Sequence, residues 1–266
     1  MMKFINIFIA EAKNQRKNFF GRFSSLITLV LWPILSCAIS YFTYLSFSLA
    51  ELQKYGIYTR NDLFVFLLCG GLVYNSYWSV VQSAGQIRYD RMNGTLEKIF
   101  LSPADKKAFI YGRSFGGIFF NTWMFSVFSF VIFVLIHASI ELVLKIMLCY
   151  IVLIISSTIF GGLITLFFLY SRDSNMIFLI CDKPMNLLSG TSFPISALPQ
   201  VLFGIACIFP SSYCIELFRK AMFAQYAITL NFIWFIVLHI VIVGLTLVLL
   251  HVVEEHNYRT GGYDRY

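Results

Sequence analysis

Long apolar stretches separated by short polar segments make up most of this chain. A helix needs about 20 apolar residues to cross a bilayer, and six stretches are of that scale. They are Phe23–Leu49, Leu63–Ala84, Phe115–Ile136, Leu142–Tyr170, a fifth from Asn175 to Ser189, and Ile228–Val253. The pattern predicts an all-α polytopic membrane protein with six transmembrane helices, forming one transmembrane domain over residues 1–266.

The segment between the fifth and sixth spans, residues 190–223, is too interrupted to form a simple spanning helix. Proline removes a backbone donor and glycine weakens a helix. Non-helical backbone survives at membrane depth only where protein or a water-filled cavity covers it. We therefore predict a re-entrant hairpin on the outer side that acts as a gate. Its candidate residues are Gly190, Phe193, Pro194, Leu198, Pro199 and Pro210.

Two amphipathic pieces accompany the spans. In residues 1–22, Phe4, Ile5, Phe8, Ile9 and Ala12 fall on one helical face, which predicts an interfacial helix on the inner leaflet. The long loop of residues 85–114 has a short helical pattern at Thr95–Leu101, preceded by Gly94 and ended by Ser102-Pro103.

Composition agrees with the membrane assignment, since 59% of the residues are hydrophobic and only 12% are charged. An average soluble domain has roughly 25% charged residues. The net charge of +7 comes largely from lysines and arginines in the amino-terminal segment, the long loop and the tail. That bias sets orientation in a membrane and predicts that both termini are cytoplasmic. It does not indicate nucleic-acid binding.

No nucleotide-binding or catalytic motif is found in the sequence. The glycine pairs lie in apolar spans without a following Lys-Ser, and no metal-ligand spacing occurs. We therefore predict that this chain is not an enzyme and holds no cofactor or metal itself.

Together these features resemble a type-2 ABC transporter permease. The resemblance rests on the six spans, the amphipathic amino-terminal helix, Gly94-Thr95-Leu96-Glu97 followed by Ser102-Pro103, and the broken segment of Ser189-Gly190, Phe193-Pro194, Leu198-Pro199 and Pro210. The motif form is most similar to the drug and natural-product branch. The resemblance implies a bacterial inner (plasma) membrane protein that assembles with two ATP-binding cassette subunits, which bind ATP and magnesium, and with a second permease as a homodimer or heterodimer.

The resemblance also implies that Thr95–Leu101 is a coupling helix that docks on the ATP-binding subunit. The residues expected at that contact are Arg91, Gly94, Thr95, Leu96, Glu97, Lys98, Phe100 and Leu101. From the residues alone, the competing interpretation is an ordinary basic loop that only sets topology.

The substrate expected from the resemblance is an amphipathic drug, antibiotic or peptide-like molecule. The first alternative is a lipid-linked polysaccharide or a teichoic-acid-like polymer. A second alternative, from a different class, is an ATP-independent secondary transporter or channel in which Asp182, Lys183 and His239 are the ion-coupling groups.

Candidate residues of the translocation path are Tyr41, Tyr77, Asp182 and Lys183. A charge within a span is costly, by about 2.5–3.5 kcal/mol per residue on some scales. Asp182 and Lys183 therefore either face the path or lie in a water-filled vestibule. Because adjacent helical residues point about 100° apart, we do not expect these two to pair. The tyrosines either belong to interfacial belts or line the path.

Several other positions carry expectations. Glu216, Arg219 and Lys220 are expected on a solvated outer face, and His239 is expected to be a hydrogen-bonded packing residue.

Gly112 and Gly116 form a GxxxG that permits either close helix packing or a flexible loop exit. The cysteines are read as small buried hydrophobes, with a Cys207–Cys214 bridge as the alternative for that pair.

Overall fold

The computed structural model describes residues 2–19, 53–135, 139–170, 174–223 and 226–260, together with scattered helical residues between 27 and 45. These parts contain helices and no strand. The helices are α1 Met2–Phe19, α2 Arg60–Gln82, α3 Ile87–Met92, α4 Thr95–Leu101, α5 Lys106–Gly116, α6 Ile118–Leu135, α7 Ile140–Tyr170, α8 Ser174–Leu188, α9 Gln200–Ala206, α10 Pro210–Met222 and α11 Phe232–Thr260. The all-α prediction is confirmed.

Four helical stretches of the described chain are long and apolar enough to cross a bilayer. They are Arg60–Met92, Lys106–Val134, Ile140–Tyr170 and Phe232–Glu255, and they match the predicted second, third, fourth and sixth spans. Most of the predicted first span lies outside the described residues. Helix α8, in the predicted fifth span, has only 15 residues before the broken segment begins.

Helix α2 forms the centre of the fold. Its start is fixed by a capping box, in which the Thr59 side chain accepts from the backbone N–H of Asp62 and the Asp62 carboxylate accepts from that of Thr59. The helix packs against α6, α7 and α10. Helix α11 buries little of its surface, and exposed apolar side chains such as Trp234 and Ile240 suit contact with lipid.

Helix α1 packs against α5 through the GxxxG pair. A Cβ atom added at Gly112 would lie 2.7 Å from the Phe8 carbonyl oxygen, and one at Gly116 would lie 2.5 Å from the Gln15 Cβ. The close-packing interpretation of GxxxG is therefore confirmed. Exposed Phe4, Ile5 and Ile9 remain free to contact a membrane surface, and the interfacial role stays a prediction.

Two smaller expectations are also decided. The His239 ring bonds the Phe235 carbonyl at 2.7 Å and the Ser156 hydroxyl at 2.8 Å, so it is a hydrogen-bonded packing residue as predicted. Cys207 and Cys214 are both free thiols, and the alternative of a bridge between them is wrong.

Candidate functional site

The long loop folds into two short helices, α3 and α4, separated by Asn93 and Gly94. Gly94 has φ +62°, a left-handed conformation that glycine adopts without steric cost. This turn lets α4 begin at Thr95 in a new direction. At the other end, Ser102 is extended, as expected for a residue that precedes proline. The predicted helical bounds of Thr95–Leu101 are those observed.

Helix α4 has two different faces. Leu96 and Phe100, four residues apart, are 1% and 0% exposed. The Phe100 ring packs edge-on against Phe109 of α5, with centroids 6.1 Å apart. Both had been expected at the contact with the ATP-binding subunit. The structure instead uses them to hold α4 on its own chain, because burying the apolar face locally stabilises so short a helix.

The opposite face of α4 is exposed. Thr95, Lys98 and Leu101 follow each other at three-residue spacing and all lie on the surface, with Leu101 at 61% exposure. Met92 and Tyr89 of α3 are about half exposed beside them. We define these five residues as the loop surface. Its exposed Tyr89, Met92 and Leu101 have a composition suited to binding another protein, and Lys98 adds a positive charge beside them.

Arg91 ties the loop to α7. Its Nη2 atom donates to the carbonyl oxygens of Phe168, at 3.0 Å, and Leu169, at 2.7 Å. Both carbonyls belong to the last turn of α7, where carbonyl groups have no partner within the helix and a cation is favoured. These bonds make Arg91 an internal brace, and its expected contact with the ATP-binding subunit stays a prediction.

Asp90 and Arg113 tie the same loop to α5 and α1. Arg113 is 0% exposed and donates to Glu11 of α1 and Asp90 of α3. In the sequence, Arg113 is one of several long-loop cations expected only to set topology. No local signal marked it for burial, since its partner Glu11 is 102 residues away.

The broken segment at residues 190–223, named here the hairpin, follows α8. Gly190 has φ +79° and ends α8. Pro194 and Pro199 precede short helical pieces, and Pro210 occupies the first turn of α10, the helix position that proline tolerates. Helices α9 and α10 meet at 95°. The predicted break points are observed, and the gating role stays a prediction.

Arg219 holds the hairpin against α2. It is 0% exposed and donates to the carbonyl oxygens of Thr191, at 2.8 Å, and Phe193, at 3.3 Å. Its guanidinium lies 3.6 Å from the centroid of the Phe66 ring, a stabilising cation–π contact. The expectation of a solvated face for Arg219 is wrong, because its hydrogen bonds are made inside the protein.

Glu216 is likewise buried, which corrects the same expectation. One carboxylate oxygen accepts from the backbone N–H groups of Thr229, at 3.1 Å, and Leu230, at 2.9 Å. The other accepts from the Thr229 hydroxyl. Helix α10 is thereby joined to the segment that leads into α11. Of the three charged residues, Lys220 is the exposed one.

The candidate path residues described by the structure make contacts with different partners. Tyr77 is fully buried, and its hydroxyl donates to the Ser156 carbonyl at 3.5 Å, so it does not line an open path. Tyr41 packs edge-on against Phe64. The hydroxyl of Tyr74 in α2, which is not among the candidate path residues, donates at 2.8 Å to the Asp182 carboxylate.

Asp182 and Lys183 do pair, at 3.2 Å, contrary to expectation. A flexible four-carbon stem lets the lysine ammonium reach a neighbouring carboxylate despite the 100° between adjacent side chains. The Lys183 side chain is still 67% exposed. Lys183 places a cation on the exposed face of α8, beside the apolar side chains of Leu179, Ile180 and Leu187.

A family model described as ABC-2 type transporter matches residues 7–223. The chain belongs to the ABC-2 type transporter family. The match includes most of α1, the long loop and the hairpin, and it confirms the resemblance to a type-2 ABC transporter permease. No curated protein matches the chain.

The ABC-2 permease is thus an integral membrane protein and the membrane component of an ABC transporter, which associates with an ATP-binding subunit. Within the described residues of this permease, the long loop and the hairpin both combine irregular backbone with bracing by buried or partly buried charged side chains. The first is fastened to α7, α5 and α1, and the second to α2 and the approach to α11.

Proposed function

We propose that this permease is the membrane subunit of an ATP-driven exporter in a bacterial plasma membrane, with both termini cytoplasmic. Two permeases and two ATP-binding subunits form the working unit, and ATP and magnesium are bound by the latter. The observation that carries the proposal is the loop surface, because α4 turns its apolar side inward and displays Thr95, Lys98 and Leu101.

In this proposal α4 is the coupling helix. When the ATP-binding subunits close on each other, they press on the loop surface. Arg91 and Asp90 pass the displacement to α7 and α5, since hydrogen bonds to buried charged groups are short and strong. The hairpin closes the outer end of the path until the spans shift and open it. Lys183 faces that path or the second permease.

We propose an amphipathic drug, antibiotic or peptide-like molecule as the substrate. A groove of about 450 Å³ between α9 and α11 supports this class, since its size is that of a small-molecule site. Its lining is mainly apolar, with Phe203, Ile208 and Trp234, and carries polar groups at Thr229 and Asn231. A lining of this kind suits a ligand with an apolar body and a polar end.

The docking role is tested by reversing one charge on the loop surface. We expect Lys98→Glu to weaken co-purification with the ATP-binding subunit by about tenfold, which corresponds to about 1.4 kcal/mol, because a like charge opposes the acidic surface that would pair with Lys98. The measurement is the affinity of the detergent-solubilised permease for candidate ATP-binding subunits.

The matched control is Lys13→Glu, which makes the same change at an exposed position of α1 and should leave the affinity unchanged. Equal weakening by both variants would contradict a specific contact at α4. If the unchanged permease binds no ATP-binding subunit and its transport follows a proton or sodium gradient, the exporter proposal is wrong.

A further inference from the structure

Arg113 is the centre of a buried chain of polar contacts. Its Nε and Nη2 atoms lie 3.0 and 2.9 Å from one carboxylate oxygen of Glu11, and Nη2 also donates to Asp90. The guanidinium lies 4.5 Å from the centroid of the Phe109 ring. One side chain of α5 therefore bridges an acid of α1 and an acid of α3.

Both acids are oriented by further hydrogen bonds. The Gln15 side chain donates to Glu11 at 2.7 Å. The Thr95 hydroxyl donates to the Asp90 carboxylate and to the Asp90 carbonyl oxygen, each at 3.1 Å. Since Thr95 is the first residue of α4, the polar chain runs without a break from the middle of α1 to the start of α4.

The close backbone contacts between α1 and α5 explain why a displacement carried by these polar contacts would move α1 as a whole. Gly112 and Gly116 bring α1 so close to α5 that a Cβ at either position would overlap Phe8 or Gln15. Close packing of this kind transmits displacement because protein interiors have low compressibility. Asp90 is exposed only in part, so solvent screens its bond to Arg113 weakly.

We propose that Arg113 is a positioning residue that transmits movement of α4 to α1, so that the amino-terminal helix shifts with each nucleotide cycle although it is outside the loop surface. This inference rests on the proposed function, in which α4 receives the movement. A planar guanidinium suits the task because it can reach two carboxylates at once in a fixed geometry, which the single ammonium of lysine cannot.

The test is hydrogen exchange of the permease in complex with its co-purifying ATP-binding subunit, in lipid nanodiscs. The complex is compared without nucleotide and after trapping with ATP, magnesium and vanadate. In the unchanged protein we expect a nucleotide-dependent difference in exchange at both α4 and α1. In Asp90→Asn and in Glu11→Gln, which remove a charge and keep the side-chain size, we expect the difference at α4 to remain and that at α1 to be lost.

Lys107→Gln is the control, since it removes an exposed charge from α5 outside the polar chain and should preserve both differences. Persistence of the α1 difference in both Asp90→Asn and Glu11→Gln would overturn the proposal, as would its absence at α1 in the unchanged protein while α4 responds. Absence of any response at α4 in the unchanged complex would instead overturn the proposed function and, with it, this inference.

Discussion

Replacing Arg219 by methionine is expected to lower the free energy of unfolding by about 3 kcal/mol, because hydrogen bonds from a buried charged group are among the costliest to remove. The change takes away the donors to Thr191 and Phe193 and the cation over Phe66. Methionine keeps much of the buried volume, so the loss is mainly one of polar contacts. Thermal and denaturant unfolding of the purified permease would measure it.

The neighbouring cation supplies the control for that experiment. Lys220→Met removes a positive charge one residue further on, at an exposed position, where substitutions usually change stability by less than about 0.5 kcal/mol. A comparable loss in both variants would mean that charge in general stabilises α10. If the hairpin is the outer gate, Arg219→Met should also make proteoliposomes leak small ions, and Lys220→Met should not.

Local sequence signals predicted the break points of this permease well. Gly94 and Ser102-Pro103 placed α4 at its observed bounds, and Gly190, Pro199 and Pro210 placed the turns of the hairpin. Each of these residues restricts its own backbone or that of a neighbour, so the effect is readable without the rest of the fold.

The burial of charged side chains could not be predicted from such local sequence signals. Arg113 and Arg219 look like ordinary loop cations in the sequence, and only contacts with distant segments show that they are internal. Arg113 meets Glu11 across 102 positions, and Arg219 meets Thr191 across 28. The faces of α4 were misjudged for a related reason, since a helical pattern shows that Leu96 and Phe100 share a side but not what covers it.

Helix α2 connects the two braced regions. It contacts the hairpin, and its carboxyl-terminal end continues through the 3₁₀ turn Ser83–Gln86 into α3 of the long loop. The Ser83 hydroxyl lies 3.1 and 2.9 Å from the carbonyl oxygens of Arg113 and Ser114, which fastens this turn to α5. A 3₁₀ stretch between helical pieces often marks a hinge, so loop movement can reach the hairpin along one continuous element.

The contact between α2 and the hairpin depends on Gly70. A Cβ atom at this position would lie 2.1 Å from the Thr191 carbonyl oxygen and 2.6 Å from Nη2 of Arg219. Gly70→Ala must therefore displace the hairpin backbone and disturb the Arg219 hydrogen bonds. We expect the free energy of unfolding to fall by about 3 kcal/mol, the upper part of the range for overpacked cores.

Gly71 offers an unusually close comparison, because a Cβ atom there would meet nothing within 4 Å. Alanine is favoured over glycine inside a helix by about 1 kcal/mol, so Gly71→Ala should leave stability unchanged or raise it slightly. Unfolding of the two variants in the same detergent measures the difference in their stability, and vesicle leak is the second measurement. Equal stability of Gly70→Ala and Gly71→Ala would show that the hairpin does not sit on α2 as described, since only a close backbone contact distinguishes these adjacent positions.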